Sequence, residues 1–125
     1  VISLNHALDI PLYRQLSTQI MESVVRGELL AGDTLPSVRA LAGDLGVNMH
    51  TVNKSYHELE AKGIIEIVPK KGAVIKAKEQ KISTKRLEGL SDEFRPIVVE
   101  ALINGMNQEE IYMLITNIIS KVRED

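Results

Sequence analysis

His50, Asn53, Lys54 and His57 recur three and four residues apart within Asn48–Lys62 (NMHTVNKSYHELEAK), a spacing that lines all four along one side of a helix capped by Asn48. An amide, two imidazoles and an ammonium at fixed intervals present donors and acceptors in the way a helix lying in the major groove of DNA must. Asn53 is the best match to a base edge, because its amide complements adenine. The opposite side carries Val52, Ser55, Tyr56 and Leu59 and reads as a core face, with the Tyr56 hydroxyl as its polar tip. Other chemistries fit less well. His50 and His57 lack a carboxylate on the same stripe to complete a metal site. Ser37, a histidine and Asp44 do not make a hydrolase triad, since no nucleophile elbow surrounds Ser37. No cofactor and no enzymatic activity are expected.

The elements that position this helix read from the punctuation around it. Ser37 to Leu45 is a shorter amphipathic helix with Val38, Leu41, Ala42 and Leu45 inward, stopped by Gly46, so the pair forms a helix-turn-helix. Gly32, Asp33 and Pro36 mark the turn before it, and Ser37 is a good cap whose end also suits a phosphate. Further upstream, Pro11 opens a helix with Leu12, Leu16, Ile20 and Val24 on its apolar stripe, Gln15, Glu22 and Arg26 on its polar face, and Gly27 as its stop. Downstream, Gly63 fits a left-handed cap. Ile64 to Val68, a turn at Pro69–Gly72 and a return strand at Ala73–Lys76 then make a β-hairpin, a wing tipped by Lys70 and Lys71.

The chain has 125 residues, is 44% hydrophobic and holds one Phe and no Trp, so an aliphatic core is expected and a large aromatic-lined cavity is not. Cys is absent, which removes disulfides and thiolate metal sites. No signal-peptide pattern or membrane-length apolar run is present, and a soluble cytoplasmic protein is expected. The net charge of -2 argues against blanket attraction to nucleic acid. Charge is patterned instead: residues 76–86 carry Lys76, Lys78, Lys81, Lys85 and Arg86 against Glu79 alone. Such a chain depends on a shaped site and on two copies acting together.

The spacing of several short runs resembles the GntR family of bacterial transcription regulators. They are Pro11-Leu12-Tyr13 with Gln15-Leu16, Gly27-Glu28-Leu29, Gly32 through Leu35-Pro36-Ser37-Val38-Arg39, Leu41-Ala42, Leu45-Gly46-Val47-Asn48, Thr51-Val52, Tyr56, Leu59, Gly63 and Gly72. The resemblance covers residues 11–76, and the Asn48-Met49-His50-Thr51-Val52 run is similar to the short YtrA-like branch. It implies that Arg39 and the first turn of the recognition helix approach DNA while the wing enters the neighbouring minor groove. Two positions depart from the family pattern: Met49 replaces a usual basic residue, and Lys70 replaces a usual glycine.

Residues 77–90 read as a basic linker, followed in 91–125 by a helix from about Ser91 to Asn104, which Pro96 starts or kinks, and a last helix. Asn107 and Glu110 form a capping-box-like start for that last helix. Ile97 and Leu102 on the first, with Ile111, Leu114, Ile115, Ile118, Ile119 and Val122 on the second, offer more apolar surface than a hairpin would cover by itself. A second copy is the simplest cover, which makes a homodimer and a palindromic operator. Too few residues remain for a ligand-binding domain, and the sequence names no effector.

The expected architecture is mainly α with a small β-hairpin: a winged helix-turn-helix domain over 1–76 followed by a two-helix dimerisation hairpin. The expected function is a dimeric repressor. Ser37, Thr51, Lys54, Lys70 and Lys71 would fix the DNA backbone, Arg39, His50 and Asn53 would read bases, and Asn48 and Gly72 complete the expected DNA-binding set. The alternative is a winged helix that binds protein and has lost DNA binding; a polar stripe without apolar anchors argues against it.

Overall fold

The computed structural model describes residues 2–78 and 81–124; Glu79 and Gln80, within the expected linker, lie outside the described residues. The chain divides into two compact units, Val1–Lys78 and Glu79–Asp125.

The first unit runs α1 (Leu12–Val25), α2 (Val38–Leu45), α3 (Met49–Ala61), β1 (Ile65–Val68) and β2 (Gly72–Ile75). Leu16 and Ile20 of α1, Leu41 and Ala42 of α2, and Val52, Tyr56 and Leu59 of α3 enclose the core, which Ile65, Ala73 and Ile75 of the wing close from below. The centre of the α1–α3 contact is polar and small. Ser17 Oγ lies 2.8 Å from Ser55 Oγ, both residues are fully buried, and Ser17 also donates to the Tyr13 carbonyl at 3.0 Å. Two serines satisfying each other let the helices approach where larger side chains would hold them apart.

In this unit one residue differs from the expectation, and two further contacts add to it. Gln15 is buried, not on a polar face: its amide donates to the carbonyls of Asn5 (3.0 Å) and Ile10 (2.8 Å) and accepts from Asn5 N–H at 2.9 Å. Gln19, one turn on, pairs in the same way with Ser3, so α1 binds the lead-in segment along its length. The turn before α2 also contributes to the sheet: Thr34 bridges Val74, Leu35 N–H donates to Ala73 and Ile75 N–H to Asp33. The wing is therefore anchored to the entrance of α2. Its own register pairs Ile65 with Ile75 and Val68 with Gly72.

The second unit contains α4 (Thr84–Ile103) and α5 (Gln108–Glu124). α4 begins well before Ser91, because Ser83 caps it by accepting from Arg86 N–H at 3.2 Å, so the linker is shorter than 77–90. Pro96 lies inside α4 and does not start it. Gly105, at φ 90, ends it with Met106 N–H donating to Ala101 and Gly105 N–H to Leu102, the double bond pattern of a left-handed cap. The start of α5 is a reciprocal capping box: Glu110 N–H donates to Asn107 Oδ1 at 2.9 Å and Asn107 N–H to Glu110 Oε1 at 3.0 Å. Neither helix has a buried residue, and the two make little contact with each other.

Candidate nucleic-acid interface

The two faces of α3 separate as their residue types require. Val52, Ser55, Tyr56 and Leu59 are buried, while His50, Asn53, Lys54 and His57 are exposed and Thr51 is half-buried. Asn48 caps the helix, its Oδ1 accepting from His50 N–H at 2.8 Å, which orients the first turn that carries His50 and Thr51. Gly46, at φ 67, makes the left-handed turn that brings α3 across α2.

α2 presents the next group. Ser37 accepts from Ala40 N–H at 3.1 Å, so the hydroxyl serves as the cap in the free protein. Tyr56 ties the entrance of α2 to α3 by donating its hydroxyl to the Pro36 carbonyl at 2.7 Å, and burial pushes the phenol up to about 12. Arg39 is exposed and, among the described residues, has no ion pair; Glu58 is occupied by Arg14 at 3.0 Å. That carboxylate is the main reason the Arg14 guanidinium sits above its ordinary value. Lys54 Nζ lies 4.3 Å from the centre of the Tyr13 ring, a contact between α3 and α1 that sequence patterns do not reveal.

The wing tip holds Lys70, Lys71 and Gly72, all exposed. Lys71 N–H donates to Val68 at 3.0 Å across Pro69 and Lys70, and Lys70 stands at φ 69, the one non-glycine residue with positive φ among the described residues. Proline followed by a left-handed residue defines a type II turn, in which glycine is the favoured second member. Lys70 therefore carries backbone strain where a glycine would not, and it projects a cation from the tip.

All ten residues expected at DNA thus lie on α2, α3, their caps and the wing tip, within the first unit, nine of them exposed and Thr51 half-buried. Tyr13 and Arg14 were not among them; the Pro11-Leu12-Tyr13 run was the signal available. The residues expected at a dimer contact lie in the second unit: Ile97, Leu102, Leu114, Ile118 and Ile119 are exposed, and Ile111, Ile115 and Val122 are half-buried. Among the described residues no three His, Asp or Glu side chains gather into a metal site, and no helix is long and apolar enough to cross a membrane.

Three helices with a capped second turn, followed by an antiparallel hairpin, define a winged helix-turn-helix domain. The model for bacterial regulatory proteins of the gntR family matches residues 12–75. The HTH-type transcriptional repressor YtrA of Bacillus subtilis (strain 168) is 32% identical over 117 residues, covering 90% of this chain and 88% of that one. The crystal structure of a transcriptional antiterminator from Listeria monocytogenes EGD-e superposes with a TM-score of 0.90 at 31% identity, over 98% of this chain and 92% of the other. YtrA from Sulfolobus acidocaldarius, a GntR-family transcription factor, gives 0.66 at 38% identity, over 82% and 98%. The chain belongs to the GntR family of bacterial regulatory proteins and is a YtrA-like transcriptional regulator with a winged helix DNA-binding domain.

Proposed function

We propose that the chain works in the cytoplasm as a homodimeric repressor that binds a palindromic operator. The observation that carries this reading is the exposed polar stripe of α3, held outward by four buried residues on its other side. In this reading α3 lies in the major groove. Arg39, His50 and Asn53 read base edges, while Ser37, Asn48, Thr51 and Lys54 hold phosphates. Lys70, Lys71 and Gly72 bring the wing to the adjacent minor groove, where a narrow groove attracts cations.

The apolar surface of α4 and α5 supports the dimer. Neither helix buries a residue within the chain, and Ile97, Leu102 and Ile118 are each more than half exposed, at 63%, 53% and 51%. A two-fold contact between copies covers that surface and sets two α3 helices at a half-site spacing. Residues 1–76 then serve as the DNA-binding domain and the C-terminal helices as the dimerisation region. Repression follows from promoter occlusion, and an effector, if one binds, acts by changing the angle between the two DNA-binding domains.

The test is selection of binding sites from a random DNA pool, with the mass of the free protein measured by sedimentation in the same buffer. A two-fold symmetric consensus bound by a dimer is expected. A folded dimer that enriches no sequence would overturn the reading in favour of a protein-binding winged helix.

A further inference from the structure

Lys54 is an exposed lysine on a recognition helix, and such side chains ordinarily sample many rotamers. Here its ammonium is held 4.3 Å above the ring of Tyr13, which belongs to α1. Tyr13 is itself held by Arg14, whose Nη2 donates to its hydroxyl at 3.2 Å and whose guanidinium carbon lies 5.5 Å from the ring centre, while Arg14 Nε pairs with Glu58 Oε2 at 3.0 Å. Glu58 stands one helical turn beyond Lys54, the place from which a carboxylate would normally take the lysine. Arg14 takes Oε2 of that carboxylate instead, and Oε1 is buried without a hydrogen-bond partner among the described residues, out of contact with the Lys54 ammonium. Within the cluster, then, one cation is neutralised by an anion and the other rests on a π face, which holds it in place without cancelling its charge.

We infer that Tyr13 is a positioning residue for DNA binding: its ring holds the Lys54 ammonium in a preset place for a backbone phosphate, and the Arg14–Glu58 pair keeps the ring in place. This rests on the proposed reading that α3 docks on DNA. A ring leaves the ammonium N–H groups that point away from it available to phosphate oxygens, and it removes much of the rotamer freedom that binding would otherwise have to freeze. The effect is a gain in affinity that is independent of base sequence.

The test uses the full chain and a duplex carrying its selected site, titrated by fluorescence anisotropy over a range of salt. Lys54→Gln should flatten the dependence of log affinity on log salt by about one unit. Tyr13→Leu should leave that slope in place and weaken binding about two- to fivefold, the fold-change equivalent of an exposed cation–π contact. Tyr13→Phe loses the hydroxyl but keeps the ring and its 5.5 Å approach to the Arg14 guanidinium carbon, so it should bind within about twofold of the parent, the lower end of that range. In a Lys54→Gln background, Tyr13→Leu should have no further effect.

An equal loss from Tyr13→Leu in both backgrounds would overturn the inference and give Tyr13 a contact of its own. Sequence-specific binding with no change of slope in Lys54→Gln would also overturn it while leaving the DNA-binding function intact. Absence of any specific site for the parent protein would instead remove the functional reading itself. Ring-current shifts of the Lys54 side-chain protons, lost in Tyr13→Leu and kept in Tyr13→Phe, report the contact in the free protein; shifts that are absent from the parent would refute it without reference to DNA.

Discussion

Replacing Tyr56 with Phe tests how the helix-turn-helix is held together. The hydroxyl donates to the Pro36 carbonyl at 2.7 Å, the residue just before the Ser37 cap of α2, so a single bond ties α3 to the start of α2. Phe keeps the buried ring and removes that donor. A neutral hydrogen bond contributes about 0.5 to 1.5 kcal/mol net, and Pro36 is exposed, so water can take over its carbonyl and the larger cost of a stranded acceptor does not arise. A loss of about 1 kcal/mol follows, or about 4 to 8 °C in the melting temperature of a domain this size. Tyr56→Phe also has a pH signature. Burial lifts the phenol from its ordinary 10.0 to about 12. Between those values the unfolded chain releases a proton that the folded one keeps, so the parent loses stability as pH rises, by at most about 1.4 kcal/mol per pH unit. Phe cannot ionise, so the advantage of the parent should shrink as pH passes about 10, the unfolded phenol value. Urea denaturation of both proteins from neutral to alkaline pH measures both effects. Equal stability at neutral pH, with parallel curves above it, would refute the tie.

Arg39→Ala should weaken specific binding by about 1 to 3 kcal/mol and relax preference at one position per half-site, whereas Lys71→Ala should weaken all sequences and flatten the salt slope by about one unit. Equal weakening of specific and random DNA by Arg39→Ala would move Arg39 to the phosphates, and an unchanged slope would leave Lys71 as a solvated tip. Lys70→Gly should raise stability by about 0.5 to 1 kcal/mol, because the left-handed conformation costs a side chain about 1 to 2 kcal/mol and glycine gives back part of that gain as chain entropy. Lower stability in a thermal melt would show that Lys70 is not strained. Leu114→Glu with Ile118→Glu should turn the dimer into a folded monomer, since an apolar contact does not accept unpaired carboxylates; a sedimentation mass that stays dimeric would place the interface elsewhere.

The recognition helix was legible because its two faces differ in kind. Val52, Ser55, Tyr56 and Leu59 define the buried side so sharply that His50, Asn53, Lys54 and His57 are left on the exposed side. Caps at Ser37, Asn48 and Asn107 were equally readable, since each places a side-chain acceptor two or three residues before an amide that needs it. Where tertiary contacts decide, local pattern fails. Gln15 looks like a surface residue and is buried because the backbone of Asn5 and Ile10 satisfies its amide. Thr34 joins the wing through Val74, distant in sequence. The early start of α4 was obscured because Leu87, Leu90 and Phe94 keep helical spacing among charges but bury nothing within the chain. The Lys54–Tyr13 contact has no local signature at all, as it links two helices across the whole of α2.

In the proposed function, the polar stripe of α3 reads bases. Site selection from one random pool, run side by side with the parent protein and Asn53→Ala, tests it most directly. A two-fold consensus is expected for the parent and the same consensus for the variant, except for one position in each half-site where preference is lost. An unaltered consensus at every position would mean that Asn53 does not face the base edges, and the docking of α3 in the major groove would have to be abandoned.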